Sequence, residues 1–364
     1  MISLTTSVTS LLCLPGALAA TDYLTNAQAA VTTLQEWYNP NTGLWDTTGW
    51  WNSANCLTVL ADLTALDASQ RDQNAAIFAN TYTRAQGSTA ARSLAMASRG
   101  DPHHHRRITR RSYPGFLNNY YDDEGWWALA WIQVYDLTHD ARYLTTAAEI
   151  FSDMTSVWNA SCGGLWWDKL HTQIGAIENE LFISTGYYQD WALTAWRWFA
   201  CSSGLINDHH TINNGLDLAR CTNDGGTVWS YNQGVILGAL VEMAQLFRDP
   251  SYLSIAQEIA TAATGALSNA DGVLTKPCEP GCTGDAPQFK GVFMRNLQVL
   301  YQATSSEPIR SFLQRNADAI WEKARGDGNA LGGSWEGPFA SADASTQSSA
   351  CKALIAAAAV SQCV

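Results

Sequence analysis

Charge is scarce in this chain, and positive charge most of all: 15% of the 364 residues are charged, and 21 Lys and Arg stand against 33 Asp and Glu, a net of −12. Nucleic acids and anionic membrane surfaces both demand a basic face, so neither is expected as a partner. Long apolar runs are missing beyond the N-terminal segment, so no transmembrane helix is expected. The tail, with Ala356 to Ala359 and Cys363, lacks the polar spacer and long hydrophobic run of a lipid-anchor signal. Strand-like alternation is also scarce, which disfavours a β architecture. Several chemistries lose their usual carriers in the same way. There is no glycine loop to cradle a phosphate, no second acidic motif to complete a two-metal site, and no loop support for a Ser-His-Asp or Cys-His triad. Neither a cofactor nor a metal is expected.

What the chain does have is aromatic side chains, 16 Trp and 13 Tyr. Indole and phenol rings carry polar tips and favour half-exposed sites, so many of them are expected to line a surface. Residues 1–20 read as a signal peptide, because the apolar stretch near Leu11 to Leu14 ends in the small-x-small pattern Ala17-Leu18-Ala19. Its removal takes away Cys13 and leaves eight of the nine cysteines, an even number suited to an oxidising compartment and up to four disulfides. Cys278 with Cys282 would close a small loop, and Cys351 with Cys363 would staple the last helix. Asn159-Ala160-Ser161 is a glycosylation sequon. A secreted, extracellular, monomeric glycoprotein is the expectation.

Helical signals recur along the mature chain, and the class is all-α. Thr25 to Gln28 reads as a capping box ahead of an amphipathic run to Trp37, and Asp249-Pro250 as an N-cap followed by proline. Further helices are expected near 56–67, 124–138, 140–157, 189–200, 234–247, 251–266, 291–303, 307–324 and 344–360. Several, such as Trp126 to Leu137, are apolar nearly all round and so buried on every side. A loose repeat organises them: a Gly- and aromatic-rich loop feeds an apolar helix, and a more polar helix follows. Such a repeat predicts a closed double ring, with inner helices surrounded by outer ones and the feeding loops gathered at one end as an aromatic cleft. Residues 84–113 break the pattern. Seven of the 21 basic residues and His103-His104-His105 crowd there without periodicity, and adjacent histidines on one loop lack the spacing of a folded metal site. The segment reads as an atypical Arg/His-rich insertion without chemistry.

The sharpest local feature is Tyr120-Tyr121-Asp122-Asp123-Glu124-Gly125-Trp126-Trp127, at the start of an apolar helix. One aspartate as helix cap and the other favouring the helix dipole would explain such a pair without function. Four flanking rings and a position at the cleft favour chemistry instead. Glycoside hydrolysis needs one carboxylate to attack the anomeric carbon and one carboxyl to protonate the leaving oxygen. Consecutive Cα atoms lie about 3.8 Å apart, so diverging side chains can set their carboxyl groups about 5 to 5.5 Å apart, as retaining enzymes require. Trp51, Trp127, Trp166, Tyr231 and Trp335 are candidates to stack on sugar faces, and Asn52, Asn55, Asp168, Asn232 and Gln233 to bond hydroxyls. Asn179 and Glu180 precede an apolar run and fit either a structural or a binding role.

The wider chain resembles family 76 of the glycoside hydrolases, the endo-α-1,6-mannanases and their fungal cell-wall relatives. The resemblance runs over nearly all of residues 21–364. It rests on Gly49-Trp50-Trp51-Asn52-Ser53-Ala54-Asn55, the Tyr121 to Trp127 block, Cys162-Gly163-Gly164-Leu165-Trp166-Trp167, Asn179-Glu180-Leu181-Phe182, Trp229 to Gly234, Gln288-Phe289-Lys290-Gly291 with Arg295-Asn296-Leu297, and Ser334-Trp335 with Gln347 to Ala350. It implies a single-domain (α/α)6 barrel and a retaining mechanism without cofactor, with Asp122 as nucleophile and Asp123 as acid/base. The family lacks the arginine-rich segment, and between Leu181 and Trp191 this chain is about a dozen residues short of it, so one inner helix is expected to be truncated. The expected activity is that of a fungal-type mannan endo-1,6-α-mannosidase acting on α-1,6-mannan or mannoprotein glycan. A transglycosylase for cell-wall mannan or GPI glycans and a mannan-binding protein without turnover are the alternatives.

Overall fold

A computed structural model describes residues 22–87, 113–185 and 189–361. The expected leader, Cys13, the three histidines, most of the Arg-rich segment and Cys363 lie outside them. Twelve α-helices are found among the described residues: α1 (Tyr23–Leu34), α2 (Trp50–Leu66), α3 (Arg71–Arg84), α4 (Tyr121–Thr138), α5 (Ala141–Thr155), α6 (Ile177–Ser184), α7 (Gln189–Cys201), α8 (Ser230–Phe247), α9 (Ser251–Ala266), α10 (Phe289–Thr304), α11 (Glu307–Lys323) and α12 (Ala344–Ser361). Two-residue hairpins, β1 (Tyr38–Asn39) with β2 (Leu44–Trp45) and β3 (Leu216–Asp217) with β4 (Thr222–Asn223), sit in the loops.

The even-numbered helices form the inner ring. Each touches the next, α2 to α4, α6, α8, α10, α12 and back to α2, while α3, α5, α7, α9, α11 and α1 pack outside. This is the (α/α)6 barrel expected from the loop and helix repeat. Because each inner helix alternates with a returning outer one, all six inner helices run in the same direction. Their N-termini therefore share one end of the ring.

Composition explains which helices go inside. Inner α8 buries Val235, Ile236, Leu237, Ala239, Leu240, Val241, Met243 and Ala244, whereas outer α9 buries one stripe, Ala256, Ile259, Ala260 and Ala263. Small residues let the inner helices close. A Cβ at Gly234 would lie 2.7 Å from the Cα of Phe293, and one at Gly291 would lie 2.5 Å from the Cα of Ser349. Both are backbone contacts that no side-chain adjustment relieves.

Several sequence expectations are corrected. The cap of α1 is Asp22, whose carboxylate accepts from the Thr25 amide at 3.0 Å, rather than a box beginning at Thr25. Asp249 accepts from the Ser251 amide at 2.9 Å, but the cap position itself is Pro250. Neither Asp122 nor Asp123 caps α4. Tyr120 holds that position, and both aspartates lie within the first turn. Two helices were missed: α3, whose polar sequence carries no strong apolar stripe, and α6, only eight residues long. The shortness of α6 fits the expected truncation, and α6 still reaches both α4 and α8, so the ring closes.

The Arg-rich segment also shrinks at its edges. Arg84 ends α3, and the buried Ala85 carbonyl accepts from the Trp50 indole at 2.9 Å. Among the described residues two disulfides are present, Cys162–Cys221, which joins two loops at the N-terminal end of the inner ring, and the expected Cys278–Cys282. Cys56 and Cys351 are buried thiols and Cys201 is an exposed one; the expected pairing of Cys351 with Cys363 involves a residue outside those described. Asn159 of the sequon is exposed on a loop.

Candidate active site

The Asp pair stands where α4 opens at the N-terminal end of the ring. The Tyr121 amide donates to the Trp167 carbonyl at 2.9 Å and Tyr120 bridges Asp168, so the 158–176 loop is strapped to the helix start. Asp168 accepts from both the amide and the hydroxyl of Thr172, at 2.8 and 2.7 Å, which closes the turn that makes this strap. Glu124, fully buried, acts as a strut below: it accepts the Asn118 amide at 2.7 Å and pairs with Lys169 at 2.8 Å. Burial pushes its carboxyl well above the usual range, and Lys169 opposes that shift.

Helix phase separates the two aspartates. Trp127 and Trp131 point outward into a cluster with Phe116, Tyr82 and Tyr143. With about 100° per residue, Asp122 falls on the opposite face, towards the barrel axis, in line with Leu129 and Gln133. Asp123 diverges from it and accepts from the Asn118 side-chain amide at 2.6 Å. Asp122 is 8% exposed and Asp123 1%. Asp122 is therefore the more open of the two. Its charge is felt by Glu178 and by the phenol of Tyr231, both pushed upward chiefly by burial.

Around the pair stand the first turns of α2, α6 and α8. Trp51 stacks on Trp126 with ring centres 5.4 Å apart, and its indole N–H donates to Asp285 at 3.1 Å. Asn55, one turn below Trp51, has a buried side-chain nitrogen without a partner. Tyr231 lies face to face with Phe289 at 3.9 Å, and its hydroxyl and the Asn232 amide both donate to Asn214, each at 3.3 Å. The carbonyl oxygen of the Asn232 side chain is buried without a partner. Trp166 is half-buried on the 158–176 loop and stacks on His171.

Other candidates serve the scaffold. Trp127 and Trp335 are both fully enclosed, Trp127 between Trp50 and Phe116 and Trp335 beneath the Lys290 ammonium, so neither presents a ring face to a sugar. Gln233 is spent on the backbone, accepting the Ile212 amide and donating to its carbonyl, both at 2.8 Å. Asn52 exchanges hydrogen bonds with Gln288 and ties α2 to α10. Asn179 clamps Leu165 and Gly175 in the same fashion. The Asn and Gln cases share one reason: these side chains suit a loop backbone as well as a sugar hydroxyl.

The sequence reading missed Asn118, Glu178 and Asn214. Asn118 had a usable signal, since an Asn two residues before a helix cap commonly makes an Asx turn, and its Oδ1 does accept from the amide of the cap residue Tyr120. Among the described residues no cluster of His, Cys, Asp and Glu has the arrangement of a metal site.

Comparisons with known proteins agree with this architecture. Mannan endo-1,6-alpha-mannosidase DCW1 of Saccharomyces cerevisiae is 24% identical over 255 residues, which cover 60% of this chain and 56% of that protein. The Candida albicans protein of the same name is 24% identical over 251 residues, 59% of this chain and 55% of that one. The chain thus spans about half the length of the curated relatives it matches. Among solved structures, an inactive variant of the alpha-1,6-mannanase GH76A of Salegentibacter sp. HEL1_6, with two consecutive aspartates changed to asparagine and alpha-1,6-mannotriose bound, superposes with a TM-score of 0.74 at 19% identity, covering 93% of this chain and all of that one. Dfg5 from Chaetomium thermophilum, in complex with glucosamine, gives 0.76 at 16% identity, covering 95% and 92%. At such identities the likeness carries the fold alone. The glycosyl hydrolase family 76 pattern matches residues 22–362, and the chain belongs to that family.

Proposed function

We propose that this protein is a retaining endo-α-1,6-mannosidase that cuts the α-1,6-mannan backbone, with Asp122 as nucleophile and Asp123 as acid/base. The observation that carries the reading is the divergence of two consecutive carboxyl groups at one helix start, one facing the barrel axis and one held from the side by Asn118. Asp122 attacks the anomeric carbon while Asp123 gives its proton to the departing glycosidic oxygen. Asp123 then takes a proton from water, which displaces Asp122 and restores both groups. The position of Asp122 in the first turn of α4 favours its ionised form, because the helix N-terminus carries partial positive charge.

Support comes from the Salegentibacter mannanase, in which changing two consecutive aspartates gives an inactive protein that holds mannotriose. Trp51, Asn55, Trp166, Tyr231 and Asn232 are the residues proposed to bind the sugar, with Asp168 and Asn52 holding the surrounding loops. The two disulfides suit action outside the reducing cytosol. Incubation with linear α-1,6-mannan, followed by sizing of the products, tests the proposal. Shortened oligomers are expected, no release of reducing ends would defeat it, and elongated products would assign the protein to glycan transfer instead.

A further inference from the structure

The inner helix α6 carries a carboxyl group for which the fold itself supplies no use. Glu180 is fully buried, and neither of its carboxyl oxygens has a hydrogen-bond partner. Helix phase fixes its direction. Phe182 points outward, stacked on Phe151 of α5 and Trp158, and Leu181 lies against Gly125 of α4. Two residues before Phe182 is about 200° around the helix, so Glu180 faces the barrel axis. Its height matches the site. It is the fourth residue of α6, Asp122 the second of α4 and Tyr231 the second of α8, and the inner helices are parallel.

We propose that Glu180 is a saccharide-binding residue at the floor of the cleft, giving a hydrogen bond to a hydroxyl of the sugar bound at Asp122; the inference rests on the proposed mannosidase function. A buried polar group left without a partner costs about 1–3 kcal/mol, and a core position has no reason to keep one when leucine has nearly the same volume. The neighbours suit a donor rather than an anion. Burial first, and Glu178 second, hold the Glu180 carboxyl well above the ordinary carboxylate range, so it keeps its proton. A carboxylic acid both donates and accepts, the combination a sugar hydroxyl needs. Glu178 is placed differently: one of its oxygens accepts the Gly175 amide, which ties it to the loop scaffold.

The test compares Glu180→Gln and Glu180→Leu with the wild type, using α-1,6-mannotriose binding by calorimetry and thermal melting. Glu180→Gln keeps a neutral donor and acceptor and is expected to bind within about threefold of wild type. Glu180→Leu is expected to bind about 10- to 100-fold more weakly while its Tm rises, the pattern of a residue kept for function at the expense of stability. A Leu variant that binds like wild type, or one that melts lower, overturns the assignment. If the wild type neither binds mannotriose nor cuts mannan, the mannosidase reading fails, and with it the ligand class assigned to Glu180. Wild-type binding with an unaffected Leu variant overturns Glu180 alone.

Discussion

The two ends of the barrel axis are built from the same six helices and treat buried polar groups in opposite ways. From the middle of the inner helices towards the end where they terminate, Asp62 of α2 accepts from Gln133 of α4 and pairs with Lys352 of α12, and Arg295 of α10 donates to Thr58 at 3.0 Å. None of these five side chains leaves a buried nitrogen or oxygen without a partner. At the end where they begin, Asn55, Glu178, Glu180 and Asn232 all do. A fold pairs the polar groups it needs for itself. The lower end is a plug whose charges answer one another, whereas the upper end keeps donors and acceptors that the proposed sugar ligand would use.

Exchanging the roles of the two ends gives the sharpest tests. The largest effect is expected for Asp122→Asn, with turnover of α-1,6-mannan reduced at least about 1,000-fold, roughly 4 kcal/mol of transition-state stabilisation, and an unchanged circular dichroism spectrum. The mirror experiment is Asp62→Ala. It leaves Lys352 and Arg295 buried without their carboxylate and is expected to cost about 3–5 kcal/mol of stability, read by denaturant unfolding. Trp127→Ala should likewise cost about 3–5 kcal/mol through the aromatic cluster, with binding unchanged in whatever fraction stays folded. The remaining test concerns pH, where the effect is read as a slope per pH unit. Burial raises Glu178 from 4.5 to about 8, so between those values the unfolded chain has released a proton that the folded chain retains. Stability therefore falls as pH rises through that window, by up to about 1.4 kcal/mol per pH unit. Glu178→Gln should flatten this part of the stability–pH curve, measured by melting at a series of pH values.

The same contrast explains what the sequence disclosed. Outer helices such as α9 and α11 were legible almost to the residue, because one apolar stripe faces the core and the rest is polar. Among the inner helices α6 was missed and α12 was found at its start, while α2, α4, α8 and α10 were begun too late. The structure starts α2 at Trp50 rather than 56, α4 at Tyr121 rather than 124, and α8 at Ser230 rather than 234. In each case the missing turn is rich in Asn, Asp, Ser and aromatic residues, which break the apolar pattern because they bind neighbouring loops, as Asn52 and Gln233 do, or stand at the N-terminal end of the ring, as Asp122 and Asn232 do. The boundary errors thus mark the site.

Individual roles were harder to extract. Asp122 and Asp123 stood out by adjacency and setting, but Gln233 and Asn232, neighbours of the same type, separate into a backbone clamp and a cleft residue only when the loop at Ile212 and Asn214 is in place. Trp51 and Trp127 are both buried, Trp51 against Trp126 and Asp285 and Trp127 in the outer aromatic cluster, a difference composition does not show. Glu180 gave no sequence signal for its orphaned oxygens, because the absence of a partner is a property of the folded interior.

The central claim is that Asp122 and Asp123 act as a retaining pair on an α-1,6-linked mannan. Proton NMR of the first products released from α-1,6-mannan reads this directly. The account predicts that the new reducing end appears initially as the α anomer and only later equilibrates by mutarotation. Initial appearance of the β anomer would show single displacement by water and contradict it.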